Sequence, residues 1–176
     1  MKPREHLKII CSLIKEAKEA KKEQTMTENW MRRQQSIERL MDKVLELYLA
    51  IKNNSSLILN SQPEFKSYLK ESGYNLRGLS SELYRYISAT EDIFNLIFDG
   101  GEWEKACWRR SAIEAVKEMY KGTSFEEFYD ELDTEDLDDI MENRCSKEGV
   151  EKDRIPKGIP TSHWWWSPQL PPANRE

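Results

Sequence analysis

Apolar residues recur every three or four positions along most of this chain, the period of amphipathic helices. Leu7, Ile10, Cys11, Ile14 and Ala17 form one stripe on a helix predicted from Arg4 to Glu23, with Lys15, Lys18, Lys21 and Lys22 on its wet face. Trp30, Ile37, Val44 and Ile51 then stand seven apart. Leu40 and Leu47 follow them by three residues, Met41 and Tyr48 by four. Thr27 is a natural N-cap for this second helix. Its stripe is wider than a two-stranded seam and fits a bundle helix; a homodimeric coiled coil is the alternative.

The pattern breaks at Asn53-Asn54-Ser55-Ser56, whose side chains compete with helix for backbone bonds. A brief helix is expected after Ser61, carrying Phe65, Tyr68 and Leu69 and ending at Gly73, and a turn follows over 75–79 with Gly78 supplying backbone freedom. The next helix is predicted from Ser80 to Asp99. Leu83, Tyr86, Ile87, Phe94 and Ile97 lie on one side, and Glu82, Arg85, Glu91 and Asp92 on the other. Gly100-Gly101 is expected to stop it. From Glu102 to Lys121 the apolar face broadens over Trp108, Ala112, Ala115, Val116 and Met119, as in a helix with two neighbours. Thr123 or Ser124, each with a Glu three residues on, signals a capping box. Asp133 or Thr134 restarts a short helix that turns Leu137, Ile140 and Met141 inward. Pro156, Pro160, Pro168, Pro171 and Pro172 then exclude long regular elements.

The predicted fold class is therefore all-α: a compact helical bundle of four to six helices over residues 1–146, followed by an extended Pro/Trp-rich C-terminal tail over 147–176. The 176 residues suit one domain with a tail. Five Phe, seven Tyr and six Trp supply core material despite a charged fraction of 34%. No apolar run approaches the length needed to cross a bilayer, and no secretory leader is legible, so a cytoplasmic protein with reduced thiols is expected.

Charge is unevenly placed. The formal charge is +4 over residues 1–60, -1 over 61–122 and -8 over 123–176, for a total of -5. Ten of the 17 residues from Glu126 to Glu142 are acidic and none is basic. Glu127, Asp130 and Glu131 share one helical patch; Glu135, Asp138, Asp139 and Glu142 share another. Such a face is either solvated or a docking surface for a basic protein. It is not a calcium loop, because Asp130, Asp133 and Asp136 lack the required spacing and glycine.

The tail carries His163-Trp164-Trp165-Trp166 between prolines. Trp164, Trp165 and Trp166 either fold back on the body or anchor a partner, for which large aromatic rings are suited. Chemistry is sparsely provided for. There are two His, at the ends of the chain, and three distant Cys, so no cofactor or metal site is read. The leading expectation is a non-catalytic protein-binding subunit, inhibitor or immunity/antitoxin-like protein. Its contacts would be the Trp-rich tail and the acidic helices, and its partner a protein with a basic surface or a second copy. One alternative is a nucleic-acid-associated subunit using Arg32, Arg33, Lys105, Arg109 and Arg110, although the acidic balance argues against general binding. Another is a carboxylate-based metal-dependent enzyme.

Overall fold

In a computed structural model of the chain, the described residues are 3–22, 27–53, 70–73, 75–96, 100–144 and 150–167. Six helices stand out among them: α1 (Pro3–Lys22), α2 (Thr27–Lys52), α3 (Ser80–Leu96), α4 (Gly100–Tyr120), α5 (Glu126–Asp130) and α6 (Glu135–Arg144). A single 3₁₀ turn, Trp164–Trp166, follows. The described residues contain no strand, and the molecule is an all-α bundle.

α1 packs on α2 and buries Ile10, Ile14 and Ala17 of the predicted stripe, with Leu13 buried beside it and Cys11 half-buried. α2 buries Ile37, Leu40, Met41, Val44, Leu47 and Tyr48 as its spacing requires, and Leu45 and Leu49 as well. α2 packs against α1, α3 and α4, and these two residues widen its buried surface beyond the stripe. The expected core positions Trp30, Phe94 and Ile97 have side chains outside the described residues, as does most of the short helix expected over 61–73.

α4 is the central element, packed against α2, α3, α5 and the 3₁₀ turn. Ala106, Cys107, Ser111, Ala112 and Ala115 are all fully buried, and these small side chains let four neighbours come close. Cross-helix pairs to α2 advance together: Trp108 with Asp42, Arg109 with Glu38, and Glu118 with Tyr48 and Lys52. α2 and α4 therefore run in the same direction.

Three expectations about local structure are corrected. Gly100 and Gly101 lie inside the first turn of α4, not in a stop after α3. Gly73 is helical, and its role is space: a Cβ there would come within 2.7 Å of the Phe125 ring and 2.9 Å of the Tyr120 ring. Gly78 has no positive φ; that conformation belongs to Gly122 (φ 74°), which closes α4, and to Gly158 (φ 92°). The capping signal at Thr123 is used one step early. Thr123 Oγ1 accepts from Phe125 N, and Glu126 Oε2 accepts from Gly122 N at 2.7 Å. α5 accordingly begins at Glu126 with no side-chain cap of its own. Asp133 Oδ1 accepts from Glu135 N and opens α6.

The expected boundary between bundle and tail, at 146/147, falls outside the described residues. Beyond it, residues 150–167 pack on the bundle, and Trp165 and Trp166 belong to the same core as α1–α6. Among the described residues no helix is long and apolar enough to cross a membrane.

Candidate functional site

The acidic stretch forms α5, α6 and the link between them. Glu127, Asp130, Glu131, Asp133, Glu135, Asp136, Asp139 and Glu142 are exposed. The amphipathic pattern explains this placement: Phe125, Tyr129, Leu132, Leu137 and Met141 are buried and turn the carboxylates outward. Glu126, which caps Gly122 N, and Asp138 are half-buried, and Asp138 is held by a buried arginine. Its two oxygens take a forked pair of bonds from Arg110, Nε to Oδ1 at 2.8 Å and Nη2 to Oδ2 at 3.0 Å. Arg110 is 5% exposed and also pairs with Glu114 at 3.0 Å. Burial pulls the guanidinium pKa down, yet the two carboxylates hold it above its ordinary value.

α3 extends the negative face. Burial, and then Asp136, Asp92 and Asp133, raise the pKa of the Glu91 carboxyl. The electrostatic part of that shift means carboxylates from two helices crowd one region. Tyr84, also on α3, is 42% exposed and donates through its hydroxyl to Glu131 O at 3.4 Å. Sequence reading missed Tyr84. Its signal was an aromatic residue off the Leu83–Tyr86–Ile87 stripe, pointing away from the core.

The tryptophans stand elsewhere. Trp165 and Trp166 are each 2% exposed, and Trp164 is half-buried. Both buried indoles donate to one atom, Ser111 Oγ on α4, at 3.0 and 2.8 Å. His163 Nδ1 meets the same oxygen at 3.1 Å. Cys107 Sγ donates to Trp165 O, and Arg110 lies over the Trp165 ring at 4.4 Å. The rings thus fold back on the chain's own central helix, and a partner contact through Trp165 or Trp166 requires this segment to lift. Sequence reading assigned no role to Ser111, because a serine in a helix carries no pattern of its own.

The basic set is divided. Arg109 is 3% exposed: it pairs with Glu38 at 2.8 Å, donates to Thr90 Oγ1 and Tyr86 O, and lies over the Tyr86 ring at 3.9 Å. With Arg110 likewise buried, neither guanidinium is presented to a phosphate backbone. Arg32 and Lys105 are exposed and Arg33 is partly so.

Two clefts flank Arg109 and Tyr86, of about 290 and 460 Å³. The larger holds Glu38, Asp42 and Glu104, but these are matched within the protein by Arg109, the Trp108 indole and Arg154. Among the described residues no three His, Cys, Asp or Glu side chains stand together so as to hold a metal ion. Ser111 and His163 are adjacent, but both are buried and the hydroxyl is engaged three ways, so no substrate carbonyl can approach them.

The fold and these surfaces define an α-helical protein with an outward acidic face and an inward aromatic strap. Comparisons with protein-family models, curated proteins and solved structures find no match.

Proposed function

We propose that the chain is a non-catalytic binding protein that docks a basic protein partner on the face formed by α5, α6 and the adjoining part of α3. The observation that carries this reading is the crowding of exposed carboxylates from two directions, with Glu91 raised by Asp136, Asp92 and Asp133 after burial. Like charges held together raise the energy of the free protein, and a cationic partner relieves that cost while being steered toward the face. Tyr84 at the rim adds an aromatic contact of the kind that concentrates binding energy. Met31 and Tyr84 are the exposed large apolar residues among those described, so charge, not an apolar patch, distinguishes the surface. The reading includes a cytoplasmic setting, to which the free thiols of Cys11 and Cys107 are suited.

The test is affinity purification from the native host with the intact chain and with a Glu127→Lys/Asp130→Lys/Glu131→Lys variant. A stoichiometric basic partner is expected with the first, removable by salt and lost with the second. Retention of the same partner by the folded variant, or partners that are uniformly acidic, defeats the reading.

A further inference from the structure

The Ser111 hydroxyl accepts from two indole N–H groups, and an indole nitrogen only donates. Both lone pairs of Oγ are then occupied. Its one hydrogen is left for His163 Nδ1, 3.1 Å away, which must be the bare nitrogen. The ring proton therefore sits on Nε2, an atom that is buried and has no hydrogen-bond partner. Counting donors and acceptors alone fixes His163 as neutral and as one tautomer. A proton added at Nδ1 would face an oxygen with no lone pair to offer, so charging the ring breaks at least one of the three bonds that converge on Ser111.

The segment that these bonds hold is separable from the helices. Val150 N donates to Trp166 O and closes residues 150–167 on themselves. Among the described residues, no backbone-to-backbone hydrogen bond joins that loop to α1–α6. It is held by side chains: the core packing of Trp165 and Trp166 with Ile155 and Ile159 against it, the Ser111 cluster, Cys107 to Trp165 O, Asn53 Nδ2 to Lys157 O at 2.9 Å, and the Arg154–Glu104 pair at 2.5 Å. We propose that residues 150–167 form a releasable strap, latched by the Ser111 hydroxyl and released when His163 is protonated. Release uncovers Ser111 and Cys107 on α4 and frees the buried indoles.

The groups around His163 oppose its charging. α2 offers the stacked Tyr48 ring at 6.1 Å and the Lys52 ammonium; α4 offers Arg110 and Glu118; the strap offers the Trp165 ring at 4.7 Å. Glu118 is the one favourable charge, and it is already engaged by the Tyr48 hydroxyl and Lys52. Burial first, then Arg110 and Lys52, lower the docked imidazole to about 4 from an ordinary 6.5, against the pull of Glu118. A base with a depressed pKa in the docked state favours docking fully above 6.5. That advantage falls about tenfold per pH unit below 6.5 and levels off near 4.

The test uses hydrogen exchange of the intact chain, read peptide by peptide between about pH 7.5 and 5.5 after correction for intrinsic rates. Acidification is expected to lower protection of 150–167 about tenfold by pH 5.5, with α2 and α4 still protected. A His163→Asn variant, whose side-chain oxygen can take the place of Nδ1 and accept from Ser111 without titrating, should lose that pH dependence. Ser111→Ala should unprotect the strap at neutral pH. Nitrogen NMR of His163 in the unaltered protein supplies a readout independent of any variant: a bare Nδ1 and a protonated Nε2 are expected at neutral pH. A proton on Nδ1, strap protection unchanged by acid, or loss of α2 and α4 together with the strap overturns the proposal.

Discussion

At the residue scale, two glycines show how one residue type serves two physical ends. Gly73 lies against the Phe125 and Tyr120 rings and needs room; Gly122 has nothing near a Cβ position and needs its positive φ. Gly73→Ala is expected to destabilise by about 1–3 kcal/mol through overpacking, and trimming Phe125 to Leu in the same chain should recover part of the loss. Gly122→Ala should cost about 1 kcal/mol from backbone strain, with no recovery from any neighbour and a smaller loss for Gly122→Asn. Chemical denaturation of the four variants separates the two causes. Sequence pattern marks Gly73 as the end of a helix, because a glycine's spelling is the same whether it serves a turn or a close approach. Arg109 and Arg110 were similarly opaque. Their burial depends on Glu38, Glu114, Thr90 and Asp138, and three of those four partners lie at least 19 positions away in the chain. Replacing Arg110 with Ala leaves Asp138 and Glu114 unpaired at the edge of the core. A loss of about 3 kcal/mol is expected in thermal or denaturant unfolding.

At the scale of elements, periodicity located the helices well. α1 and α2 begin within a residue of the predicted Arg4 and Thr27, and α2 buries its heptad stripe from Ile37 to Tyr48. Periodicity reported less well how many sides a helix buries. α2 carries Leu45 and Leu49 off the stripe, and α4 hides residues from 109 to 113 without interruption. A helix enclosed by several neighbours loses the contrast between faces on which pattern reading depends. Leu45 is fully buried, so Leu45→Ala is expected to cost about 2–5 kcal/mol, as much as Leu40→Ala on the stripe itself. Equal losses in denaturant midpoints would establish that both sides of α2 are load-carrying. The acidic helices were legible as acidic and short, because Phe125, Tyr129, Leu137 and Met141 recur at helical spacing. That α3 joins the same negative face through Glu91 was not, since no local rule relates residue 91 to residue 136.

For the whole molecule, the charge distribution and the aromatic tail have opposite fates: the carboxylates of α5 and α6 turn to water and the Trp segment turns to the core. The first follows from composition, as most charged groups remain solvated. The second is the burial of Trp165 and Trp166 in the core around one hydroxyl presented by α4, which the sequence does not distinguish from any other serine. Crowding of like charge makes a prediction that needs no partner. Added salt should raise the melting temperature of the unaltered chain by screening the face. Glu91→Gln should raise it at low salt by about 0.2–0.5 kcal/mol of stability, and the difference should shrink at high salt. A carboxyl raised in the folded state binds its proton more readily there than when unfolded. Glu91 therefore opposes folding at neutral pH, and its penalty fades as pH falls through its raised pKa. Glu118, lowered by its bonds to Tyr48 and Lys52 against the effect of burial, has the reverse sign: its contribution is full above the ordinary carboxylate range and is lost on acidification.

The covering of Ser111 by residues 163–166 bears on how the chain is made. A ribosome that has delivered residues 1–144 has delivered α1–α6, yet the indoles that seal the middle of α4 are still inside the exit tunnel. The nascent bundle must wait with Ser111 and Cys107 open to water until Trp165 and Trp166 have left the tunnel, so the emergence of residues 150–167, and any chaperone present during it, governs when the interior becomes dry.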